Sequence, residues 1–87
     1  MIRQVPTRQT GLRGIMSGKP FMDGFREAGN GQPPRYDAYR LDANDQWNYE
    51  RGRLFAHIYK GPLKESRKIY YPALATMAEA IRSRTIL

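Results

Sequence analysis

Hydrophobic side chains recur at helical spacing in three stretches of the chain. The first, residues 20–30, has small or apolar residues at i, i+3, i+4 and i+7: Phe21, Gly24, Phe25 and Ala28. This spacing places all four on one face of a helix. Pro20 suits the first helical position, and Gly29, Asn30 and Gly31 suit the end. The pattern predicts a helix over residues 20–30.

The second stretch covers residues 45–60. Its stripe follows i, i+4, i+7, i+8 and i+11: Trp47, Arg51, Leu54, Phe55 and Ile58. Asn44 or one of the carboxylates Asp42 and Asp45 is expected to cap the N-terminus, where an acidic side chain also suits the helix dipole. Gly61 and Pro62 end the pattern. We therefore expect a second helix here, with the stripe turned toward the core.

A third helix is predicted over residues 72–84, beginning at Pro72. Its apolar face contains Leu74, Met77, Ala78 and Ile81. The alanine-rich body has high helix propensity. Whether this face packs within the chain or against a second copy is left open by the sequence.

The segments between these helices complete the predicted architecture. Residues 32–43 start with Pro33 and Pro34 and read as a loop, with Tyr36, Tyr39 and Leu41 as packing anchors. In residues 1–19, glycines and a proline interrupt any periodic pattern, which predicts a flexible basic arm. The expected fold is mainly α: residues 20–87 form one small domain, built as helix, long loop, helix and C-terminal helix.

Two glycines interrupt the predicted helices, Gly24 in the first and Gly52 in the second. A glycine in mid-helix costs about 1 kcal/mol relative to alanine. A small domain has little stability to lose, because a short chain buries a smaller share of its surface. We therefore expect the two glycines to mark a close contact between the helices.

Trp47 is the chain's only tryptophan and lies among polar residues. Its place on the stripe with Leu54 and Ile58 predicts a core anchor at the edge of a basic face. The alternative is a platform on which an unpaired base stacks, because Arg51 is close along the helix. Arg51 and Arg53 are then either solvated side chains or phosphate contacts.

Charge adds a class of partner to this picture. The net charge is +7, from 15 Lys and Arg against 8 Asp and Glu, and residues 1–19 contain no acid. Such an excess is typical of polyanion binders. The candidate nucleic-acid contacts are Arg3, Arg8, Arg13, Lys19, Arg51, Arg53, Lys64, Arg67 and Lys68, and the aromatic anchors or stacking groups are Tyr36, Tyr39 and Trp47.

Several classes of function are disfavoured. The chain has no cysteine and one histidine, His57, with no paired nucleophile or metal-ligand set. No apolar run is long enough to span a membrane, and the N-terminus does not have the apolar core of a signal peptide. We expect a cytoplasmic, non-enzymatic protein of a bacterial host cell, without cofactor or metal.

Part of this sequence resembles the ribosome modulation factor family. The resemblance is carried by Gly24-Phe25-x-x-Ala28-x-x-Gly31, by Tyr36 or Tyr39 after a proline-containing loop, and by Gln46-Trp47-x-x-x-Arg51-Gly52-Arg53. It covers residues 21–58. The resemblance implies binding to small-subunit ribosomal RNA and modulation of translation, without catalysis.

Two other classes fit the same residues. A small phage protein could bind and block a host protein, such as a polymerase or a defence complex, through the acidic middle segment and the aromatic loop. A structural virion component could associate with itself through the helix at residues 72–84.

Overall fold

The computed structural model describes residues 6–35, 37–65 and 68–86. Arg3, Tyr36 and Arg67 lie outside these residues, as does the side chain of Arg8. The elements in chain order are α1 (Pro6–Ser17), α2 (Lys19–Gly29), α3 (Ala43–Ile58), β1 (Lys64–Glu65), β2 (Lys68–Ile69) and α4 (Tyr71–Arg82). The two short strands pair antiparallel, with Lys64 opposite Ile69.

The predicted mainly α architecture is confirmed, and α2, α3 and α4 begin and end within two residues of their predicted bounds. The N-cap of α3 is Asp42, one of the expected capping residues. Asp42 Oδ1 accepts hydrogen bonds from the backbone N–H groups of Asn44 (2.9 Å) and Asp45 (3.1 Å). The helix therefore begins at Ala43, two residues before its predicted start.

The N-terminal segment differs from the predicted arm, because residues 6–17 form α1. Gly11 has a φ of 44°, which kinks this helix and which side chains other than glycine rarely adopt. Met16 is fully buried in the core. The glycines that suggested an irregular arm are accommodated by the kink, and the apolar residues after it anchor α1.

The contact between α2 and α3 is a crossing of two backbones at glycine. A Cβ atom added to Gly24 would overlap the Tyr49 carbonyl oxygen and lie 3.0 Å from the Arg53 nitrogen. A Cβ added to Gly52 would overlap the Phe21 carbonyl oxygen and lie 3.0 Å from the Phe25 nitrogen. The predicted close contact at these two glycines is confirmed.

The core lies between this helix pair, α1, the hairpin and α4. Its fully buried side chains include Met16, Phe21, Phe55, Met77 and Ile86. Phe21 and Phe25 both contact Phe55, with ring centroids 5.8 Å apart. Among the described residues, no helix is long and apolar enough to cross a bilayer.

Helix α4 packs within the chain. Met77 is fully buried and Leu74 packs against the core, whereas Ile81 is 38% exposed. Past its end, Arg84 has a φ of 66°, and Thr85 N–H donates to the carbonyl of Ala80 at 2.8 Å. This turn brings the buried Ile86 back to the core. The apolar face proposed for self-association is therefore used within the chain at Met77 and Leu74, whereas Ala78 and Ile81 stay exposed.

Substituting alanine at the crossing should destabilise the fold. We expect Gly24→Ala or Gly52→Ala to lower the free energy of unfolding by about 3 kcal/mol or more, because the helices must separate to admit the new methyl group. Urea unfolding measures this. Gly29→Ala is the matched control, because nothing lies within 4 Å of its added Cβ. That variant should be neutral or slightly stabilising, and equal losses in all three variants would contradict the crossing.

Candidate nucleic-acid interface

Two buried carboxylates fasten the long loop to the helix pair. Asp23 and Glu27 lie one turn apart on α2 and are 3% and 4% exposed. Glu27 Oε1 accepts from the Tyr49 hydroxyl (2.7 Å), and its two oxygens accept from Arg35 Nε (3.1 Å) and Nη2 (2.6 Å). The backbone N–H of Arg35 donates to the Tyr49 hydroxyl at 2.9 Å. Glu27 thus joins α2, the loop and α3.

Asp23 makes the second attachment. Its Oδ2 accepts from the Tyr39 hydroxyl (2.5 Å) and from Lys19 Nζ (2.7 Å), while Arg26 Nη1 lies 3.1 Å from Oδ1. The Tyr39 ring packs on Tyr49, with centroids 5.6 Å apart. We call Asp23, Glu27, Arg35, Tyr39 and Tyr49 the loop network.

The charges of the loop network are stabilised by their partners. Hydrogen bonds from Arg35 hold the pKa of Glu27 below its ordinary value, against the opposing effect of burial. Burial alone would raise the pKa of Asp23. Hydrogen bonds from Lys19 and Tyr39 outweigh this effect, so the pKa of Asp23 is also below its ordinary value. Burial and the hydrogen bond to Asp23 raise the pKa of the Tyr39 hydroxyl. Both carboxylates are therefore held ionised in the folded protein.

Of the predicted stripe on α3, Phe55 is buried as expected, but Trp47, Leu54 and Ile58 are not. Tyr49, Gly52, Phe55 and Ala56 are buried, whereas Trp47, Leu54 and Ile58 are 54%, 48% and 43% exposed. The core-anchor interpretation of Trp47 is therefore wrong. Gly52 is the position that approaches α2, so the residues three and four positions from it face the core. Trp47, Leu54 and Ile58 lie on the opposite side.

The exposed Trp47 and the half-buried Arg51 form a pair on α3. The guanidinium carbon of Arg51 lies 5.6 Å from the centre of the Trp47 ring, within the range of a cation–π contact. Arg51 Nη1 also donates to Asn48 Oδ1 at 2.6 Å. One of the two groups is a large aromatic surface and the other a fixed positive charge, and both remain accessible. We call them the Trp47–Arg51 platform.

A cleft of about 370 Å³ lies beside this platform, between α3 and the loop. Its α3 wall consists of Gln46, Tyr49, Glu50, Arg53, Leu54 and His57, and its loop wall of Pro34, Arg35 and Tyr39. A second depression, of about 220 Å³, is lined by Ala43, Gln46, Trp47 and Glu50. Gln46 and Glu50 border both, so the cleft and the platform adjoin.

The side chain of Arg53 is held mainly by a hydrogen bond to the backbone of the loop. Its Nη2 donates to the carbonyl of Gln32 at 2.9 Å, which holds the start of the loop. Its Nη1 is buried, and within the described part of the chain it has no hydrogen-bond partner. Arg53 thus holds the loop and also lines the cleft.

The remaining candidate residues are spread over the surface. Arg13 on α1 and Lys68 on β2 are exposed, and Lys64 on β1 is half-buried. Lys19 is exposed but paired with Asp23. A groove of about 380 Å³ is lined by both Gly14 of α1 and Arg51 of α3, so the segment that contains Arg13 borders the platform.

Sequence reasoning missed the loop network and the cleft. Asp23 and Glu27 are spaced i, i+4 and flank Gly24, so the crossing at that glycine also buries them. Tyr49 lies three residues before Gly52, on the crossing face. Counting positions outward from the two glycines would have found these residues. Within the described residues, no three His, Cys, Asp or Glu side chains are grouped closely enough to hold a metal ion.

No protein-family model matches this sequence, and neither a curated protein nor a solved structure is significantly similar to it. The resemblance to ribosome modulation factors therefore stays a prediction.

The loop network predicts a loss of stability in acid. The ordinary pKa values are 4.5 for Glu27 and 3.8 for Asp23, and both are lowered by folding. As the pH falls below about 4.5, the unfolded chain takes up protons before the folded one does, so the free energy of unfolding decreases. Urea unfolding between neutral pH and about pH 3 measures this change.

A pair of variants assigns the acid effect to the network. Glu27→Gln should weaken the pH dependence, because one of the two titrating carboxylates is gone. Glu79→Gln removes an exposed carboxylate on α4 and should leave the dependence as it is. A free energy of unfolding that does not change over this pH range in the original protein would contradict the prediction.

Proposed function

We propose that this protein is a non-enzymatic RNA-binding protein, a ribosome-associated modulator of translation. The observation that carries the proposal is the Trp47–Arg51 platform, in which the only tryptophan of the chain is 54% exposed with a guanidinium over its ring. Aromatic rings beside arginine are a common means of stacking unpaired bases. The ribosome as target rests on the family resemblance.

The distribution of charge supports the same class of partner. Three basic side chains, Lys19, Arg26 and Arg35, are engaged by the two buried carboxylates. Within the described residues, the side chains of Arg13, Arg40 and Lys68 are exposed and without an ion pair. These groups remain available for phosphates, which dominate the affinity of proteins for nucleic acids.

The role of the platform can be tested by removing the ring. Trp47→Ala should weaken binding to a short labelled single-stranded RNA about tenfold, because stacking contributes about 1–3 kcal/mol per base. Fluorescence anisotropy measures the affinity. The variant should remain folded, because the side chain is largely exposed. Tyr71→Ala, which removes an aromatic side chain that is 77% exposed on α4, is the matched control.

Salt dependence and ribosome binding test the wider proposal. We expect the logarithm of the association constant for RNA to fall linearly with the logarithm of the salt concentration, because phosphate contacts release counterions. The protein should also co-sediment with ribosomal subunits at low salt and lose this association after Trp47→Ala. Unchanged binding in that variant would place the RNA contact elsewhere, and no binding to RNA or subunits at low salt would refute the proposal.

A second candidate function is a small inhibitor that covers a host protein. The observation that favours it is the exposed apolar line of Trp47, Leu54 and Ile58 along α3, since such patches often serve protein contacts. Pull-down from nuclease-treated lysate separates the two functions. Recovery of one protein partner without nucleic acid would favour the inhibitor, and loss of all partners would favour RNA.

A further inference from the structure

Helix α3 presents two parallel stripes with the same spacing of i, i+4, i+7 and i+11. One consists of Trp47, Arg51, Leu54 and Ile58, and the other of Gln46, Glu50, Arg53 and His57. All four residues of the second stripe line the cleft. Because Gln46 and Glu50 also border the depression at Trp47, that depression is continuous with the cleft.

The cleft has the size and rigidity of a binding site for a small planar group. Its volume of about 370 Å³ lies at the lower end of the range of about 300–1,000 Å³ found for ligand pockets. Its loop wall is fixed by Arg35 and Tyr39, which are held on buried carboxylates. Because this wall is already ordered in the free protein, less conformational entropy is lost when a ligand binds.

The polar groups of the cleft form a donor beside an acceptor. Glu50 is exposed and, within the described residues, its carboxylate makes no hydrogen bond or ion pair. Arg53 lies three residues further along α3 and has the buried, unpartnered Nη1. Side chains at i and i+3 on a helix are neighbours, and both of these line the cleft, so a ligand there would meet the carboxylate beside the guanidinium.

We propose that the cleft binds an unpaired guanine, next to a base stacked on Trp47. This inference rests on the proposed RNA-binding function and names the base that the protein would recognise. Guanine presents two adjacent N–H donors, N1–H and the N2 amine, beside the O6 acceptor on its pairing edge. The Glu50 carboxylate accepts from the two donors, and the Arg53 guanidinium donates to O6.

The other bases match this pair of groups less well. Adenine and cytosine each place an unprotonated ring nitrogen beside the amine, and that nitrogen would face the carboxylate. Uracil has one N–H between two carbonyl oxygens, so it offers the carboxylate a single donor flanked by acceptors. Unpaired bases in RNA are read on these edges, and the geometry therefore selects guanine.

The test compares two short oligoribonucleotides, an oligouridylate and the same strand with one central guanine. Trp47 is the only tryptophan and lies at the mouth of the cleft, so its fluorescence reports binding directly. We expect the guanine strand to bind about tenfold more tightly, which corresponds to about 1.4 kcal/mol. Glu50→Gln should abolish this preference, so that the two strands bind with equal affinity.

The matched control is Glu79→Gln, the same chemical change on exposed α4. It should keep the preference for guanine, and circular dichroism should show both variants folded. Equal binding of the two strands by the original protein, or a preference that survives Glu50→Gln, would overturn the guanine site and leave the RNA-binding proposal standing. Failure of both strands to bind would overturn both the guanine site and the RNA-binding proposal. Capture of one protein partner from nuclease-treated lysate, without RNA binding, would do the same.

Discussion

The backbone contact between Gly24 and Gly52 is the constraint on which the remaining structure depends. Each glycine lies against the backbone of the opposite helix, at Tyr49 and at Phe21. This approach sets which face of α3 is covered, and it brings Tyr49 to the buried carboxylate of Glu27. A stability cost of about 1 kcal/mol per glycine is offset by a helix pair that places both the core and the polar attachment of the loop.

The loop owes its position to charge more than to apolar burial. Leu41, predicted as an anchor, is 89% exposed, whereas Arg35 and Tyr39 are bonded to carboxylates beneath them. Carboxylates removed from water are tolerated only when donors replace the solvent. Here two of the donors, Arg35 and Tyr39, come from the loop itself, and these same residues form the loop wall of the cleft.

The sequence was sufficient to predict helices α2, α3 and α4 and the glycine crossing, because the helices and the crossing both follow from the local spacing of residues. It was misleading at Trp47, where the stripe with Leu54 and Ile58 has the period of a core face but lies opposite Gly52. Two stripes of equal period compete on α3, and only contact with α2 decides between them. The cleft could not be predicted, because one wall comes from a loop whose path depends on side chains distant in sequence.

A contact made by backbone atoms has a consequence for how this protein can diverge. Side-chain packing varies with every substitution, but the separation of α2 and α3 at Gly24 and Gly52 is set by main-chain atoms that all residues share. Related sequences could therefore exchange many of their core side chains while the spacing of the helices stays constant. A pair of glycines at this separation, rather than overall identity, would be the feature by which distant relatives are recognised.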